Sequence, residues 1–588
     1  MRNSQRTQSP SLFAGIKNNI FQIALALSLI FCSQAILAAS NGDKSHTAIL
    51  SENQFPSASQ CAGCHQQIYD EWSSSSHAYA GISPMFHKFE NAINTLAPTI
   101  GNFCVRCHMS VGTSMGQDRS SDFKVRPQVA REGITCVTCH RIDTQYARAN
   151  GERRIVPGEI FEPMYGPTEV KPLKEVLDNP DAYKVKTSKE GSGQAIHTNV
   201  IRFKQIKESQ FCVSCHQVAV NLGIKLEVVW DQYRASPAHA EGISCQQCHM
   251  GRLPGVPSGY EQAHAATIND EPIGKKRDHY NHAFYGPGYS IAHPGIFPHN
   301  PEAQDWTLEE WLSFDFRAGW GNEEFEEEVS DDYKFPEVWE DISDRETARE
   351  IIEDNLEKLA KRNEERRKVM ENGSHVDGPF FEEAPELGED LEFGFEITNT
   401  NSGHNVPSGS LGAQPELWFN VALVDPQGKT IWESGYVDSV GDMADLHSQD
   451  VLQGKLEEDS QLFNLQTKFL TTNVKGTDRE MYLPVNFDID QIPLLRPAQQ
   501  PTTVMNHPPF VRMEGRSIPP LGKRGVNYKV PAKLIKQAGK YRLSMRMRSR
   551  AEPIYFMKFV GATEEMIKNM NDGILDFHNY TVEFEIKP

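Results

Sequence analysis

The chain has 588 residues, which exceeds the size at which single hydrophobic cores stop growing, so more than one folding unit is expected. Hydrophobic residues make up 38% and charged residues 23% of the sequence, the balance of an ordinary soluble protein. There are 79 acidic residues against 59 basic ones, giving a net charge of -20. This excess of negative charge argues against nucleic acid and anionic membrane surfaces as binding partners.

The N-terminus has the layout of a secretory signal peptide. Arg2, Arg6 and Lys17 supply positive charge around the start of an apolar run over residues 20–32. Small residues around Ala38 then provide a cleavage site, so residues 1–38 are predicted to be removed on export. The apolar run is shorter than the roughly 20 residues that a membrane-spanning helix needs. The sequence therefore predicts a periplasmic or extracellular protein without a transmembrane segment.

The 11 cysteines follow a repeated pattern. Cys32 falls within the predicted signal peptide, and all the others form pairs separated by two residues, each pair being followed by a histidine. These motifs are Cys61, Cys64 and His65; Cys104, Cys107 and His108; Cys136, Cys139 and His140; Cys212, Cys215 and His216; and Cys245, Cys248 and His249. Disulfides are the default use of cysteine in an exported protein, but they do not explain a histidine after every pair.

The chemistry of covalent haem attachment explains this spacing. Two thiols three positions apart can both bond to the vinyl groups of one porphyrin, while the adjacent histidine binds its iron. A zinc site, a redox-active dithiol or a structural disulfide also uses cysteines at this spacing. None of these requires the histidine, and histidine accounts for only 20 of 588 residues. The motifs therefore predict five covalently bound c-type haems, each with a proximal histidine.

An internal duplication organises the haem-binding segment. Phe103-Cys104-Val105 recurs as Phe211-Cys212-Val213, and Glu132-Gly133-Ile134-Thr135-Cys136 recurs as Glu241-Gly242-Ile243-Ser244-Cys245 at a nearly equal offset. The segment therefore reads as two copies of a dihaem unit, with the haem of His65 added in front. So many porphyrins in so short a stretch leave too little polypeptide for separate pockets. We therefore expect the haems to pack closely and to conduct electrons.

Each iron also needs a sixth ligand unless that position is kept for a substrate, and axial ligands set the redox potential over a range of about 0.8 V. His77 in Ser-Ser-Ser-Ser-His-Ala and His239 in Ser-Pro-Ala-His-Ala look like related ligand segments. His87 and His197 occupy comparable places before Cys104 and Cys212 in the two copies. The predicted distal ligands are His77, His87, His197, His239 and His282, with His264, His279 and His404 as alternatives.

Several short segments match a known family. They are Cys61 to His65 followed by Tyr69, Glu71-Trp72 and Ser76-His77-Ala78, then Phe211-Cys212, Glu241 to Cys245 and His249-Met250. With these segments the sequence resembles the multihaem c-type cytochromes related to the tetrahaem electron carrier that serves hydroxylamine oxidoreductase. The resemblance spans residues 55–300 and implies that His77 is a distal ligand and that the haems are mostly bis-histidine, low-spin and stacked in pairs.

The resemblance also has limits. This chain has five haem motifs where that carrier has four, so its specific partners do not carry over. No cysteine pair is followed by lysine, which disfavours a pentahaem nitrite reductase. Residues 401–409 resemble a recurring element of large members of the group at the start of an appended β domain, and whether His404 reaches a haem stays open.

The remaining sequence predicts an acidic helical linker over residues 301–384. Glu323–Glu328 is an acidic run that is typical of a solvated face, with a docking patch for a basic partner as the alternative. Ser343 and Glu346 form a capping-box pattern. Apolar residues then recur at helical spacing until Gly373, which predicts one amphipathic helix.

Beyond residue 385 the apolar period changes to two. Leu391, Phe393, Phe395 and Ile397 alternate with polar residues, and the same pattern returns at 541–547 and 582–586. The fold class is therefore predicted to be mixed. A mainly α and loop-rich haem domain over 55–300 is organised around stacked haems and is followed by the helix and an antiparallel β-sandwich over 385–588.

These features favour an electron-transfer protein over an enzyme. An acidic carrier or conduit would attract basic redox partners, with rates that fall as salt concentration rises. One alternative is a multihaem oxidoreductase in which one haem keeps an open site for a small nitrogen or sulfur compound. Another is a structural subunit that joins cytochromes into a larger assembly through its β domain.

Overall fold

The computed structural model describes residues 54–96, 101–119, 121–142, 150–151, 153–167, 170–219, 225–409, 415–445, 448–466, 468–471, 481–482 and 511–588. The predicted signal peptide over 1–38 lies outside these residues. Phe55–Pro588 forms one unit by its internal contacts. Within the described ranges, no helix combines the length and the apolar character needed to cross a bilayer.

Short helices joined by loops make up the region that contains the cysteine motifs. Its first helix is capped by Ser57, whose side chain accepts a hydrogen bond from the backbone N–H of Ser59. The helices are α1 (Ala58–Ser73), α2 (Ser76–Tyr79), α3 (Pro84–Leu96), α4 (Val105–His108), α5 (Ser110–Ser114), α6 (Gln128–Arg131), α7 (Cys136–His140), α8 (Lys171–Leu177), α9 (Val213–His216), α10 (Val229–Arg234), α11 (Pro237–Ala240) and α12 (Cys245–His249).

Two-stranded ribbons lie between these helices. The pairs β1–β4 and β2–β3 are parallel, and the pairs β5–β6, β7–β10 and β8–β9 are antiparallel. Their bounds are β1 (Met164–Gly166), β2 (Val185–Lys186), β3 (Gln194–Ala195), β4 (Val200–Arg202), β5 (Val218–Ala219), β6 (Lys225–Glu227), β7 (Glu261–Ala263), β8 (Ala266–Ile268), β9 (Glu271–Ile273) and β10 (Arg277–His279).

The linker contains the helices α13 (Leu308–Ser313), α14 (Glu323–Glu328) and α15 (Ile342–Gly373). Helix α15 ends at Gly373, as the apolar spacing predicts. The prediction that Ser343 caps this helix is wrong, because Asp341 is the cap and accepts a hydrogen bond from the backbone N–H of Ser343 at 2.8 Å. Part of the acidic run is also internally paired, since Glu326 forms an ion pair with the buried Arg345.

Two antiparallel sheets form the C-terminal part, which confirms the predicted β-rich region. One has the strand order β11-β12-β18, the other β14-β13-β19-β20, and a small third sheet has the order β16-β15-β17. The strands are β11 (Ser374–Phe381), β12 (Leu391–Asn399), β13 (Glu416–Val424), β14 (Thr430–Ser434), β15 (Lys468–Thr471), β16 (Met481–Tyr482), β17 (Val511–Glu514), β18 (Lys523–Val530), β19 (Gly539–Arg550) and β20 (Leu575–Ile586), accompanied by helices α16 (Gln449–Leu452), α17 (Ile554–Phe559) and α18 (Glu564–Asp572).

The two larger sheets share one apolar core. Phe395 of β12 and Phe419 of β13 stack across it with ring centres 5.8 Å apart. Leu543 and Met545 of β19 are 1% and 2% exposed, so the period-two pattern in the sequence corresponds to inward-facing side chains. The first strand of this region begins at Ser374, earlier than the predicted boundary at 385.

The C-terminal region is packed directly against the haem-motif region. Phe556 of α17 contacts Phe89 of α3 with ring centres 5.5 Å apart, and Met85 joins the same apolar cluster. This contact keeps the β-rich region close to the cysteine motifs.

Candidate functional site

Each cysteine–histidine motif forms about one turn of helix. Helices α4, α7, α9 and α12 each end at the histidine of a motif, and the first motif lies within α1. Residues three positions apart share a helix face, so the two thiols of a motif project on the same side. In α1 the backbone leaves helical geometry at His65, with φ -119° and ψ 43°. None of these ten cysteines forms a disulfide, so both sulfur atoms of each motif can bond to a porphyrin.

Backbone carbonyl groups fix the orientation of four of the motif histidines. The Nδ1 atom of His65 lies 2.9 Å from the carbonyl oxygen of Ala265 and that of His140 lies 2.8 Å from Tyr165 O. His249 and His108 make the same kind of contact, with Tyr285 O at 2.6 Å and Ala80 O at 3.4 Å. A carbonyl oxygen can only accept, so Nδ1 carries the proton and Nε2 keeps its lone pair. This is the usual arrangement of a metal-binding histidine.

Three motif histidines face a second imidazole at similar distances. Ring centres are 6.2 Å apart for His216 and His77, 6.5 Å for His140 and His282, and 6.0 Å for His249 and His404. These distances exceed the 3.5–4.0 Å of carbon atoms in van der Waals contact. Two metal–nitrogen bonds of about 2 Å in line, with half a ring on either side, would place the ring centres roughly 6 Å apart. The spacing therefore fits one iron between each pair.

Two further predicted ligands lie near the remaining motif histidines. Burial and, to a smaller extent, the neighbouring imidazole of His197 lower the pKa of His65 to about 4. The Nδ1 of His197 lies 3.2 Å from Asn199 O, so its Nε2 lone pair is available. His87 lies close enough to influence His108 electrostatically, but its Nε2 atom donates to Gly81 O at 2.9 Å. The tautomer of His87 is therefore the reverse of that of His197.

The other predicted histidines have different surroundings. His239 is exposed, and its ring meets Tyr233 edge-on with ring centres 5.2 Å apart. The Nε2 of the buried His279 lies 2.7 Å from a carboxylate oxygen of Glu71. His264 directs its Nδ1 to Gly274 O at 2.9 Å. His404, an alternative in the sequence analysis, is the histidine whose ring faces His249.

The facing imidazoles are held in the neutral form. Burial lowers the pKa of His77 to about 3, and the pKa values of His249 and His282 to about 4. Nearby imidazoles reinforce the effect, namely His216 on His77, His404 on His249 and His140 on His282. A histidine must be neutral at Nε2 to bind a metal, so the site favours the ligating form at neutral pH.

The position of His77 depends on the glycine of the first repeated segment. Gly133 has φ +61°, and a Cβ atom there would lie 2.4 Å from the carbonyl oxygen of His77. The next residue, Ile134, donates its backbone N–H to that oxygen at 3.0 Å and accepts from the indole N–H of Trp72 at 2.8 Å. The Nδ1 atom of His77 is buried and has no hydrogen-bond partner among the described residues.

A carboxylate supports the loop that carries His282. One oxygen of Glu71 accepts from the backbone N–H of His282 at 2.9 Å, and the other lies 2.7 Å from Nε2 of His279. Burial alone would raise the pKa of Glu71, but the hydrogen bonds from His279 and His282 outweigh it and lower the pKa. Glu71 therefore stays ionised and ties α1 to the segment after the last motif.

Thiols of different motifs approach one another. Contact with the thiol of Cys61, together with burial, raises the pKa of Cys136. In the same way, contact with Cys215 raises the pKa of Cys107, and contact with Cys245 raises the pKa of Cys212. These contacts link the first motif with the third and the fourth motif with both the second and the fifth.

Arg153, which the sequence analysis missed, lies beside the second and fourth motifs. Its guanidinium group donates to the Ser110 hydroxyl at 2.9 Å and to the Ser214 hydroxyl at 3.4 Å. Nothing in its local sequence distinguishes it from a surface arginine. By contrast, His404 could be noticed in the sequence, because residues 401–409 resemble an element that recurs in large members of the multihaem cytochrome group.

Comparison with known proteins supports the same chemistry. Residues 60–141 and 176–250 match the sequence model of the family described as cytochrome c554 and c-prime, and these two segments contain all five motifs. The match supports a multihaem c-type cytochrome that binds haem covalently and acts in electron transfer. It does not extend to the linker or the β-rich region. Neither a curated protein nor a solved structure matches the chain.

Proposed function

We propose that this protein is an exported pentahaem c-type cytochrome that transfers electrons along closely spaced, mostly bis-histidine haems. One observation carries the proposal: motif imidazoles face second imidazoles at 6.0–6.5 Å between ring centres. This spacing would suit an iron held by one histidine from each side, and the two cysteines beside each motif histidine, which form no disulfide, would attach the porphyrin covalently. When bound, the haems supply the one-electron chemistry, and the polypeptide holds and spaces them.

Each motif has a defined role in this proposal. The two cysteines bond to the porphyrin and the motif histidine is the proximal ligand. His77 is the distal ligand for the haem of His216, and His282 for that of His140. His197 and His87 serve the haems of His65 and His108. We propose no haem for His239, which was predicted from its similarity to His77, because its ring lies against Tyr233.

The contacts between motifs support electron transfer through the whole set. The thiols of Cys61 and Cys136 bring the first and third motifs together. Burial, opposed by the charge of Arg153 and assisted by the neighbouring Cys215, raises the pKa of Cys139 to about 11, so the third and fourth motifs are also adjacent. The fourth motif contacts the second and fifth through Cys215 and Cys212. The order of contacts is thus first, third, fourth, with branches to the second and fifth.

The charge of the chain indicates the partners. A net charge of -20 would steer basic redox proteins to the surface and would be screened by salt. The predicted export places these partners in the periplasm or outside the cell. A role of the β-rich region in assembling several cytochromes is compatible with this function.

A second function is favoured by one observation at His87. Its Nε2 atom donates to Gly81 O at 2.9 Å, so the nitrogen that usually binds iron is engaged. If His87 does not bind, the haem of His108 keeps an open position where a small nitrogen or sulfur compound could react. The protein would then be an oxidoreductase with four electron-transfer haems.

Two measurements on the purified protein test these proposals. Intact mass is expected to exceed that of the mature polypeptide by five haems, and a value matching bare polypeptide would refute both functions. The reduced protein is then exposed to carbon monoxide. An unchanged absorption spectrum supports the carrier, whereas binding at one haem supports the oxidoreductase. A His87→Ala variant that newly binds carbon monoxide would identify His87 as the ligand that closes this position.

A further inference from the structure

A loop of the β-rich region, residues 400–409 (the His404 loop), reaches the fifth cysteine motif. The carbonyl oxygen of Ser402 accepts the backbone N–H of Ala238 at 3.1 Å. The side-chain oxygen of Gln232 accepts from the backbone N–H of Asn405 at 3.2 Å and from the hydroxyl of Ser408 at 2.6 Å. The loop is therefore bonded to the segment that directly precedes the last motif.

The other side of the loop is fixed to the β-sheet. Asn399, fully buried at the end of β12, donates its side-chain N–H to the carbonyl oxygen of His404 at 3.0 Å. Val406 pairs with Ile518 through two backbone hydrogen bonds of 2.9 Å. Anchors on both sides hold the imidazole of His404 in a defined place between the sheet and the motif.

The imidazoles of His404 and His249 have the relation expected of two ligands on one iron. Their ring centres are 6.0 Å apart and their planes differ by 10°. Each Nδ1 atom donates to a backbone carbonyl, Asn405 O at 2.9 Å for His404 and Tyr285 O at 2.6 Å for His249. Both rings therefore keep the lone pair on Nε2, the nitrogen that binds iron when Nδ1 is held in this way.

We propose that His404 is the sixth ligand of the haem attached at Cys245 and Cys248, so that the β-rich region completes the coordination of the last haem. This inference depends on the proposed function, because it requires a haem at that motif. It gives the β-rich region a redox role, since the potential and spin state of this haem depend on the docking of the His404 loop. His239 is the competing ligand, but its exposed ring is packed against Tyr233.

The test uses the full-length holoprotein and three variants. His404→Gly removes the ligand and leaves room for free imidazole, His404→Met supplies a different ligand, and His239→Gly is the matched control. Electron paramagnetic resonance gives the high-spin fraction of the iron, intact mass gives the haem content, and circular dichroism confirms folding. Redox titration measures the midpoint potentials.

If His404 binds iron, His404→Gly converts about one fifth of the iron to high spin, and added imidazole restores the low-spin signal. His239→Gly remains like the wild type. His404→Met keeps its iron low-spin but raises one midpoint potential, because methionine in place of histidine raises the potential. This variant provides the test if His404→Gly does not fold. A low-spin His404→Gly protein with five haems, or unchanged potentials in His404→Met, would overturn the inference. A wild-type mass lacking the fifth haem would instead overturn the proposed function.

Discussion

Glu552 is a buried carboxyl group whose removal should make the stability of the protein less dependent on pH between 4.5 and 8. Its Oε2 atom is buried and has no hydrogen-bond partner among the described residues. Burial raises the pKa of Glu552 to about 8, and the charge of Glu416 adds to the effect. Glu552 also contributes to the raised pKa of Tyr79, which places it where the β-rich region meets α2.

The size of the effect follows from proton linkage. Because the folded pKa lies above the ordinary value of 4.5, the native state retains a proton that the unfolded chain releases. The stabilising contribution is complete below pH 4.5 and is lost as the pH rises to 8. Each pH unit in this interval lowers the free energy of unfolding by about 1.4 kcal/mol, which amounts to about 5 kcal/mol over the whole range.

The substitution Glu552→Gln keeps the shape of the side chain and removes its titration. Guanidinium unfolding of the holoprotein, followed by circular dichroism at pH 5 and at pH 8, compares the variant with the wild type. The variant should gain stability relative to the wild type at pH 8 and gain little at pH 5, whereas the exposed-site control Glu457→Gln should show no pH-dependent difference. An equal gain at both pH values would show that the carboxyl group does not titrate in this range.

Three other outcomes are expected. His77→Ala should convert about one fifth of the iron to high spin, as measured by electron paramagnetic resonance. The control His299→Ala removes a buried imidazole that stacks on Trp72 with ring centres 5.3 Å apart, and it should leave the iron low-spin. Equal high-spin signals from the two variants would contradict the assignment of His77. Nε of Arg550 donates to a carboxylate oxygen of the buried Glu416 at 2.7 Å. Arg550→Met leaves this carboxylate without its partner and should lower the free energy of unfolding by about 3–5 kcal/mol. A loss under 1 kcal/mol would argue against a stabilising ion pair. Electron transfer to a basic cytochrome, measured by stopped flow, should slow as the salt concentration increases, because the net charge of -20 attracts the partner. A rate independent of salt would show that electrostatic steering does not contribute.

The sequence alone determined the attachment chemistry, because that chemistry is local. Two cysteines three positions apart and the adjacent histidine can all reach one porphyrin from a single short segment, so the motif is recognisable without the surrounding fold. The β-rich region was predictable for a related reason, since the alternation at Leu391, Phe393 and Phe395 reports directly which side chains face the core.

The tertiary structure decided which histidine faces which motif. His77 and His239 have similar local sequences, yet only His77 lies opposite a motif histidine. Glu132 and Glu241 occupy equivalent positions in the two copies of the repeat but also differ in their surroundings. Glu132 accepts a hydrogen bond from the backbone N–H of Ala58 at 2.9 Å, whereas Glu241 is exposed. His404 reaches His249 from another region of the chain. Packing between distant segments brings the facing histidines together, and their spacing in the sequence does not encode that packing.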